Sequence, residues 1–440
     1  MWNPGMQFRI LLALSLLLAA CATPEPPREL LGPYRLDSGE VVSISRSADG
    51  TLRYRAFTTG SSGRLYPNGD GSYTSGDGFS NKEPAELSVR FEYGDDGIVQ
   101  SMLWSPTSGQ VSSAARIGEE RFLEFENEDA SFHARLQLPG GPGPFPAVVL
   151  VHGSGSSPGT EWFYNSDFFA ANGVAALTFD KRGSGQSNGE FTFDFHQLAR
   201  DVIAAVDMLA SQPEIDGQRV GLSGYSQGAW VAPLASSMSE SVSFVIVNYG
   251  MIESPAEEAR LEMRQLLIDA NVSDEELAEA DELIGAAVEL VANQLDSGWE
   301  EFDSMKEKYG DASWMVHLRG TPVDRLVSYP KFLVNAISGF LLPNELDWHY
   351  DSTELLTASD TPMVWLLAEQ DRSAPNEQTI TKLRALEEQG RPQKLIVFPD
   401  ADHGMLTFEE KDGERTYTGY ARGYFRAEID AALDLTKQRE

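Results

Sequence analysis

Three kinds of hydrophobic spacing divide the chain. Between Leu30 and Ile117, short runs alternate apolar with polar residues, as in Val41-Val42-Ser43-Ile44-Ser45, Leu52-Arg53-Tyr54-Arg55-Ala56 and Ser88-Val89-Arg90-Phe91-Glu92. Alternation sends successive side chains to opposite faces of a strand. The Asp49-Gly50, Asn68-Gly69, Asp70-Gly71 and Asp96-Gly97 pairs between the runs suit the positive-φ positions of tight hairpins. A small antiparallel β domain of sandwich or barrel type is expected over residues 30–117. The aspartates between Asn68 and Gly78 lack the spacing and closing glutamate of a calcium-binding helix-loop-helix, so they read as turn formers.

Beyond residue 118 the apolar residues become continuous: Ala147–Val151, Val174–Phe179, Arg219–Ser223, Thr361–Ala368 and Lys394–Phe398. Runs of this length without alternation belong to strands covered on both faces, as in a parallel sheet flanked by helices. The expected fold is therefore α/β with a mostly parallel, doubly wound sheet, its core split between residues 118–250 and 359–440. The third spacing fills the gap. Behind Ser273-Asp274-Glu275-Glu276, the residues Leu277, Ala280, Ile284, Ala287, Val291 and Leu295 recur at helical intervals. Ser254-Pro255-Ala256-Glu257 is a second capping-box pattern, with proline at the first helical position. A helical insertion over residues 251–358 follows, expected to cap the site formed where the strands end. Trp299, Trp314, Trp348, Phe302 and Tyr309 are there to hold that insertion together or to line its pocket.

The chemistry concentrates at the ends of the apolar runs. Gly224-Tyr225-Ser226-Gln227-Gly228 stands between the Arg219–Ser223 run and the helix-capable stretch from Ala229 to Met238. A sharp strand-to-helix turn strains its central residue and needs small neighbours, which lifts a serine hydroxyl above the sheet. Glu369-Gln370-Asp371 closes the Thr361–Ala368 run, and Asp400-Ala401-Asp402-His403-Gly404 follows Lys394–Phe398. Glu369, Asp400 and Asp402 compete with Asp371 for the role of acid. The latter two fit a turn, because Pro399-Asp400-Ala401-Asp402 reads as a loop. Of the other histidines, His133, His196, His317 and His349 sit in mixed contexts, and His152 opens a glycine turn that its ring would brace.

With Ser226, Asp371 and His403 in that chain order, the sequence resembles the α/β-hydrolase superfamily, in particular bacterial serine hydrolases related to dienelactone hydrolases, acyl-CoA thioester hydrolases and serine aminopeptidases. The resemblance also rests on His152-Gly153-Ser154-Gly155 and on Asp180-Lys181-Arg182-Gly183-Ser184-Gly185-Gln186-Ser187, each directly after an apolar run. It implies Ser226 as nucleophile, His403 as general base and acid, and Asp371 as the group that orients the imidazole. The backbone amides of Gln227 and Ser154 would form the oxyanion hole. The Asp180–Ser187 turn is expected to be structural. No metal and no organic cofactor is implied, and the substrate would be a small-molecule ester or acyl compound. Peptide or amide bonds, thioesters and acyl transfer remain open alternatives, as does a non-catalytic envelope protein that uses the fold for binding. The β domain over residues 30–117 offers fewer than 100 residues, too few for the propeller of a prolyl-oligopeptidase, which needs roughly 300 residues.

Charge and cysteine content narrow the setting. A formal net charge of -33 over 440 residues leaves no basic surface with which to meet a phosphate backbone, so nucleic acid is excluded as a partner. The single cysteine, Cys21, rules out an internal disulfide, a thiol nucleophile elsewhere and a cysteine-built metal site. It ends Leu18-Ala19-Ala20-Cys21 behind an apolar run, Ile10–Ala20, that is shorter than the roughly 20 residues of a spanning helix. This pattern resembles the bacterial lipobox. The expected organisation is a signal peptide over residues 1–20, lipidation at Cys21, and a proline-rich tether over 21–29. Ala22 at the following position fits an anchor in the outer membrane, on its periplasmic side.

Overall fold

The computed structural model describes residues 27–47, 50–341, 345–411 and 413–437. Cys21, the run Ile10–Ala20 and Asp49 of the first expected hairpin turn lie outside the described residues. Contact density divides the chain into two compact units, one built from residues 25–252, 352–371 and 376–440 and the other from 253–351 with 372–375.

The first unit contains two large sheets. The N-terminal one has nine strands: β1 (Gly32–Leu36), β2 (Val41–Arg46), β3 (Leu52–Ala56), β4 (Ser62–Arg64), β5 (Tyr66–Pro67), β6 (Ser72–Gly76), β7 (Ala85–Tyr93), β8 (Val99–Pro106) and β9 (Ser112–Arg116). Their order is β4-β3-β2-β1-β9-β8-β7-β6-β5, and every pair is antiparallel. Of the two expected forms, a two-sheet sandwich is not what forms. The domain is a single sheet that curls back on itself, so that Gly63 of β4 has the Ser75 side chain of β6 where a side chain of its own would stand.

The second sheet has eight strands: β10 (Glu119–Asn127), β11 (Ala130–Leu138), β12 (Phe145–Val151), β13 (Ala175–Phe179), β14 (Ile215–Tyr225), β15 (Val245–Asn248), β16 (Met363–Ala368) and β17 (Gln393–Phe398). The order is β10-β11-β13-β12-β14-β15-β16-β17, with β12 to β17 parallel and β10 and β11 antiparallel at one edge. The continuous apolar runs explain the parallel part, since β13, β15 and β16 are buried at every position. From β12 the chain crosses to β13 on one side and then to β14 on the other. This reversal opens a crevice beyond the carboxyl ends of β12 and β14, where ligands bind in open α/β sheets. The helices α1 (Gly159–Trp162), α2 (Asn165–Ala171), α3 (Phe195–Ala210) and α4 (Gly228–Met238) lie between the early strands in sequence. A hairpin of β18 (Leu406–Lys411) and β19 (Glu414–Tyr420) follows β17 and stands outside both large sheets.

The N-terminal sheet is fused to the α/β sheet's layers through both polar and apolar contacts. On β2, Val42 and Ile44 enter the curled sheet's own core, whereas Val41 and Ser43 face the α/β half of the unit. Ser43 donates to Asp167 of α2 at 2.5 Å, Arg46 pairs with Glu161 of α1 at 2.9 Å, and Phe57 packs on Phe168 with ring centroids 5.4 Å apart. At the far end Arg55 donates to the Tyr420 hydroxyl at 2.9 Å, with its guanidinium over the Tyr164 ring. The Gly60 carbonyl accepts from the Tyr420 amide at 2.8 Å. These contacts hold the hairpin that follows His403.

The second unit is helical, as the 3.6-residue spacing predicts: α5 (Pro255–Asp269), α6 (Asp274–Ala292), α7 (Trp299–Tyr309), α8 (Pro322–Ser328) and α9 (Lys331–Leu341). At Ser273 the capping box is complete, with reciprocal bonds between Ser273 and Glu276. At Ser254 only half of the expected motif is seen: the hydroxyl accepts from the Glu257 amide at 3.3 Å, while the Glu257 carboxylate turns to Arg260 at 2.6 and 2.8 Å. Phe302, Tyr309 and Trp314 are buried in this unit's own core with Leu267, Leu283 and Ile284, and Trp299 and Trp348 pack against it. Their burial there answers for the aromatic content of the segment. After the insertion come α10 (Thr353–Ala358), α11 (Glu377–Glu388) and α12 (Tyr424–Lys437). No helix among the described residues is long and apolar enough to cross a membrane.

Candidate active site

Ser226 occupies the turn between β14 and α4 with φ +53°, a left-handed conformation that costs a non-glycine residue on the order of 1–3 kcal/mol. The surrounding chain over-determines it. The Ser226 amide donates to the Asn248 carbonyl at the end of β15 (3.1 Å), and the Ser226 carbonyl accepts from the Ala229 amide (2.7 Å). Glycine is required on both sides for closeness. A Cβ on Gly224 would meet the Gly228 carbonyl, and one on Gly228 would sit 2.6 Å from the Val151 carbonyl of β12. The His152–Gly155 turn lies against the serine: a Cβ on Gly153 would be 3.4 Å from Ser226 Cβ and 3.8 Å from its hydroxyl oxygen. Ser154, next along that turn, is exposed, and Gln227 is buried at the N-terminus of α4.

Asp371 and His403 are brought together from the ends of adjacent strands. His403 Nδ1 lies 2.9 Å from Asp371 Oδ2, and the Asp371 side chain has no exposed surface. Glu369 is exposed instead, because residues two apart on an extended segment need not share an environment. Asp402 is occupied otherwise, accepting from the His403 amide at 2.8 Å and pairing with Arg415 at 2.8 Å. Asp400 is exposed. The Tyr249 ring, just past β15, meets the His403 ring edge-on at 5.1 Å. His152 packs against Phe179 at 4.9 Å, and burial together with the nearby Lys181 ammonium holds it well below the usual imidazole value. It is a neutral brace for its loop.

Two buried ionisable groups near the elbow were not singled out from the sequence. Lys181, just past β13, is 1 % exposed and donates to the Gly153 carbonyl at 2.8 Å and to Gln227 Oε1 at 3.0 Å. Burial pushes its ammonium down to about 7. Glu428 of α12 accepts from Ser223 (2.8 Å) and Tyr225 (2.5 Å) of β14, and from Asn165 of α2 (2.8 Å). Burial raises its carboxyl above the usual range, against the pull of these hydrogen bonds. The signal for Lys181 was a lysine two residues past the end of a continuous apolar run. Glu428 had only a charge on the apolar face of its helix. Among the described residues, no group of three or more His, Cys, Asp or Glu side chains could hold a metal ion.

A family model described as the alpha/beta hydrolase family matches residues 148–417, well over half of the chain. The chain belongs to the alpha/beta hydrolase family. Among curated relatives, this hydrolase is similar to esterase EstD of Thermotoga maritima, 28% identical over 134 residues, which cover 28% of this chain and 32% of that protein. It is similar to esterase FrsA of Escherichia coli, 30% identical over 141 residues, with 32% and 33% covered. The chain thus spans about a third of the length of these two esterases. Thiohydrolase aneE of Aspergillus aculeatus is 23% identical over 276 residues, covering 59% of this chain and 80% of that protein. Among solved structures, an esterase of Pyrococcus furiosus is 16% identical with a TM-score of 0.44, covering 73% of this chain and 91% of that one.

Proposed function

We propose that this hydrolase cleaves carboxylic esters through an acyl-serine intermediate formed on Ser226. The reading rests on one observation, the buried Asp371 carboxylate bonded to His403 Nδ1 on strand ends of the sheet that carries the strained Ser226. With Nδ1 bonded to Asp371, the proton exchange is assigned to Nε2. His403 takes the Ser226 proton as the hydroxyl oxygen bonds to the ester carbonyl carbon, and the carbonyl electron pair moves onto oxygen. The amides of Gln227 and Ser154 receive that oxyanion. The imidazolium, stabilised by Asp371, returns the proton to the departing alcohol as the carbon–oxygen bond breaks. Water then repeats the sequence on the acyl-serine, freeing the acid and restoring Ser226. Esterase names among the relatives support the bond type, and the name of aneE makes thioesters the second substrate class to test.

The test is turnover of nitrophenyl esters of increasing acyl length, beside acyl-CoA thioesters and aminoacyl anilides, for the lipid-free protein and for Ser226→Ala. Ester turnover should fall by about a million-fold in the variant. Anilide turnover that depends on Ser226 would make the protein a peptidase, and ester turnover indifferent to Ser226 would remove the mechanism. We also propose that Cys21 carries the lipid that holds the enzyme at the bacterial outer membrane, on the periplasmic side. Cys21→Ala should then move the protein from the membrane to the soluble fraction, and unchanged fractionation would refute the anchor.

A further inference from the structure

We propose that Lys181 is a positioning residue for the oxyanion hole, aligning both of its amide donors through a single ammonium group. The inference rests on the roles given above to Gln227 and Ser154. The Gly153 carbonyl that Lys181 bonds at 2.8 Å belongs to the same peptide unit as the Ser154 amide. That unit is planar and trans, so its C=O and N–H point in opposite directions, and fixing the oxygen fixes where the N–H aims. While it is protonated, the ammonium on that oxygen also draws electron density from the amide, which makes its N–H the stronger donor. The second bond, to Gln227 Oε1 at 3.0 Å, tethers the residue whose own amide lies at the start of α4. Amides there have no partner within the helix and face outward. One ammonium therefore joins the glycine turn after β12 to the elbow after β14.

The lysine is itself held. Its carbonyl accepts from the Ser184 amide at 2.9 Å and from the Ser184 hydroxyl at 2.8 Å. On one side of it, Asp180 accepts from Thr160 and from the Gln186 amide, and on the other Arg182 grips Asp201 with bonds of 3.0 and 2.8 Å. The turn from Asp180 to Ser187 is thus the rigid base from which the ammonium is aimed. Burying an ammonium is costly, and the bonds recorded for this one go to neutral oxygens, with the Phe191 ring centroid 5.2 Å away. A packing role would be met at lower cost by an apolar side chain of the same length. What an apolar chain cannot do is orient and polarise the Gly153–Ser154 peptide.

The experiment compares wild type with Lys181→Met, Lys181→Arg, Gln227→Met and Ser226→Ala on the best nitrophenyl ester, and measures inhibition by a trifluoromethyl ketone, which forms a tetrahedral oxyanion adduct on an active serine. Lys181→Met should lose about 10- to 100-fold in kcat, less than the 100- to 1000-fold expected when an oxyanion donor is removed outright, while KM changes little. The inhibition constant for the ketone should rise by the same factor. Lys181→Arg, which keeps two donors, should recover most of the loss. Gln227→Met leaves the lysine in place and releases one of its two bonds, so a smaller loss of the same kind is expected even if Lys181→Met does not fold. A folded Lys181→Met with unchanged kcat and ketone affinity would overturn the proposal, as would a loss confined to KM. Should Ser226→Ala remain active, the acyl-serine reading fails first, and the two failures are told apart by that variant.

Discussion

Lys181 and Glu428 are both buried beside the elbow, yet they are bonded in contrasting ways. Glu428 gathers hydroxyl and amide donors from β14 and α2, and Asn248, which anchors the Ser226 amide, reaches the same cluster through Ser223 at 3.0 Å. Its bonds join a helix to the sheet beneath Ser226. Lys181 has fewer partners, and both belong to the loop and the turn that surround the serine. Neutral dipoles offset part of the burial cost of the anion, which acts on the scaffold. The cation has fewer compensating partners, and they belong to the segments around Ser226. Burial alone therefore does not separate structural from functional charge; what separates them is where the bonds lead.

The contrast can be broken most directly at Glu428. Glu428→Ala strands the Tyr225 hydroxyl and the Ser223 and Asn165 side chains in the interior, which should cost about 3–5 kcal/mol. Chemical denaturation measures that loss. The kcat of the folded variant should stay within a few-fold of wild type, the reverse of what Lys181→Met is expected to show. A folded Glu428→Ala enzyme with normal stability and a collapsed kcat would dissolve the distinction.

A smaller effect sharpens the same point at Asp167. Burial pushes this carboxyl up to about 6 from its ordinary 3.8, although Arg135 and the Ser43 hydroxyl pull it down. Because the folded state holds the proton more tightly, the unfolded state binds fewer protons between about pH 4 and 6, and stability falls as pH rises through that window. Asp167→Asn removes the titrating group. Its melting temperature relative to wild type should therefore improve from pH 4 to pH 7 and stay level above, with activity unaffected. A relative melting temperature that is flat across this range would mean that Asp167 ionises as easily folded as unfolded.

The elbow at Ser226 and the pairing of Asp371 with His403 were legible in the sequence because each residue follows a continuous apolar run, and the backbone at the end of a buried strand permits few arrangements. The same holds for β12 to β17, whose lack of alternation follows from burial on both faces. Other features depend on residues far apart. The 205 positions that separate Ser223 from Glu428 carry no periodicity that reports their bond. The half-formed capping motif at Ser254 failed for a local reason, since Arg260 one turn along competes for Glu257. The curled single sheet could not be told from a sandwich, because strand alternation reports that a face is buried but not what buries it. On β2 both faces are buried, one against its own sheet and one against α2, so a segment that reads as a separate domain is structurally continuous with the enzyme.

The contact between Arg55 and Tyr420 joins residues 365 positions apart and lies beside the hairpin that follows His403. On a ribosome the curled sheet is made first and waits through the whole of synthesis for this partner. Long-range pairings of that kind form late and slowly, because loop closure precedes the gain. His403 precedes the hairpin that this contact holds, so residues made last reach their places by docking on residues made first.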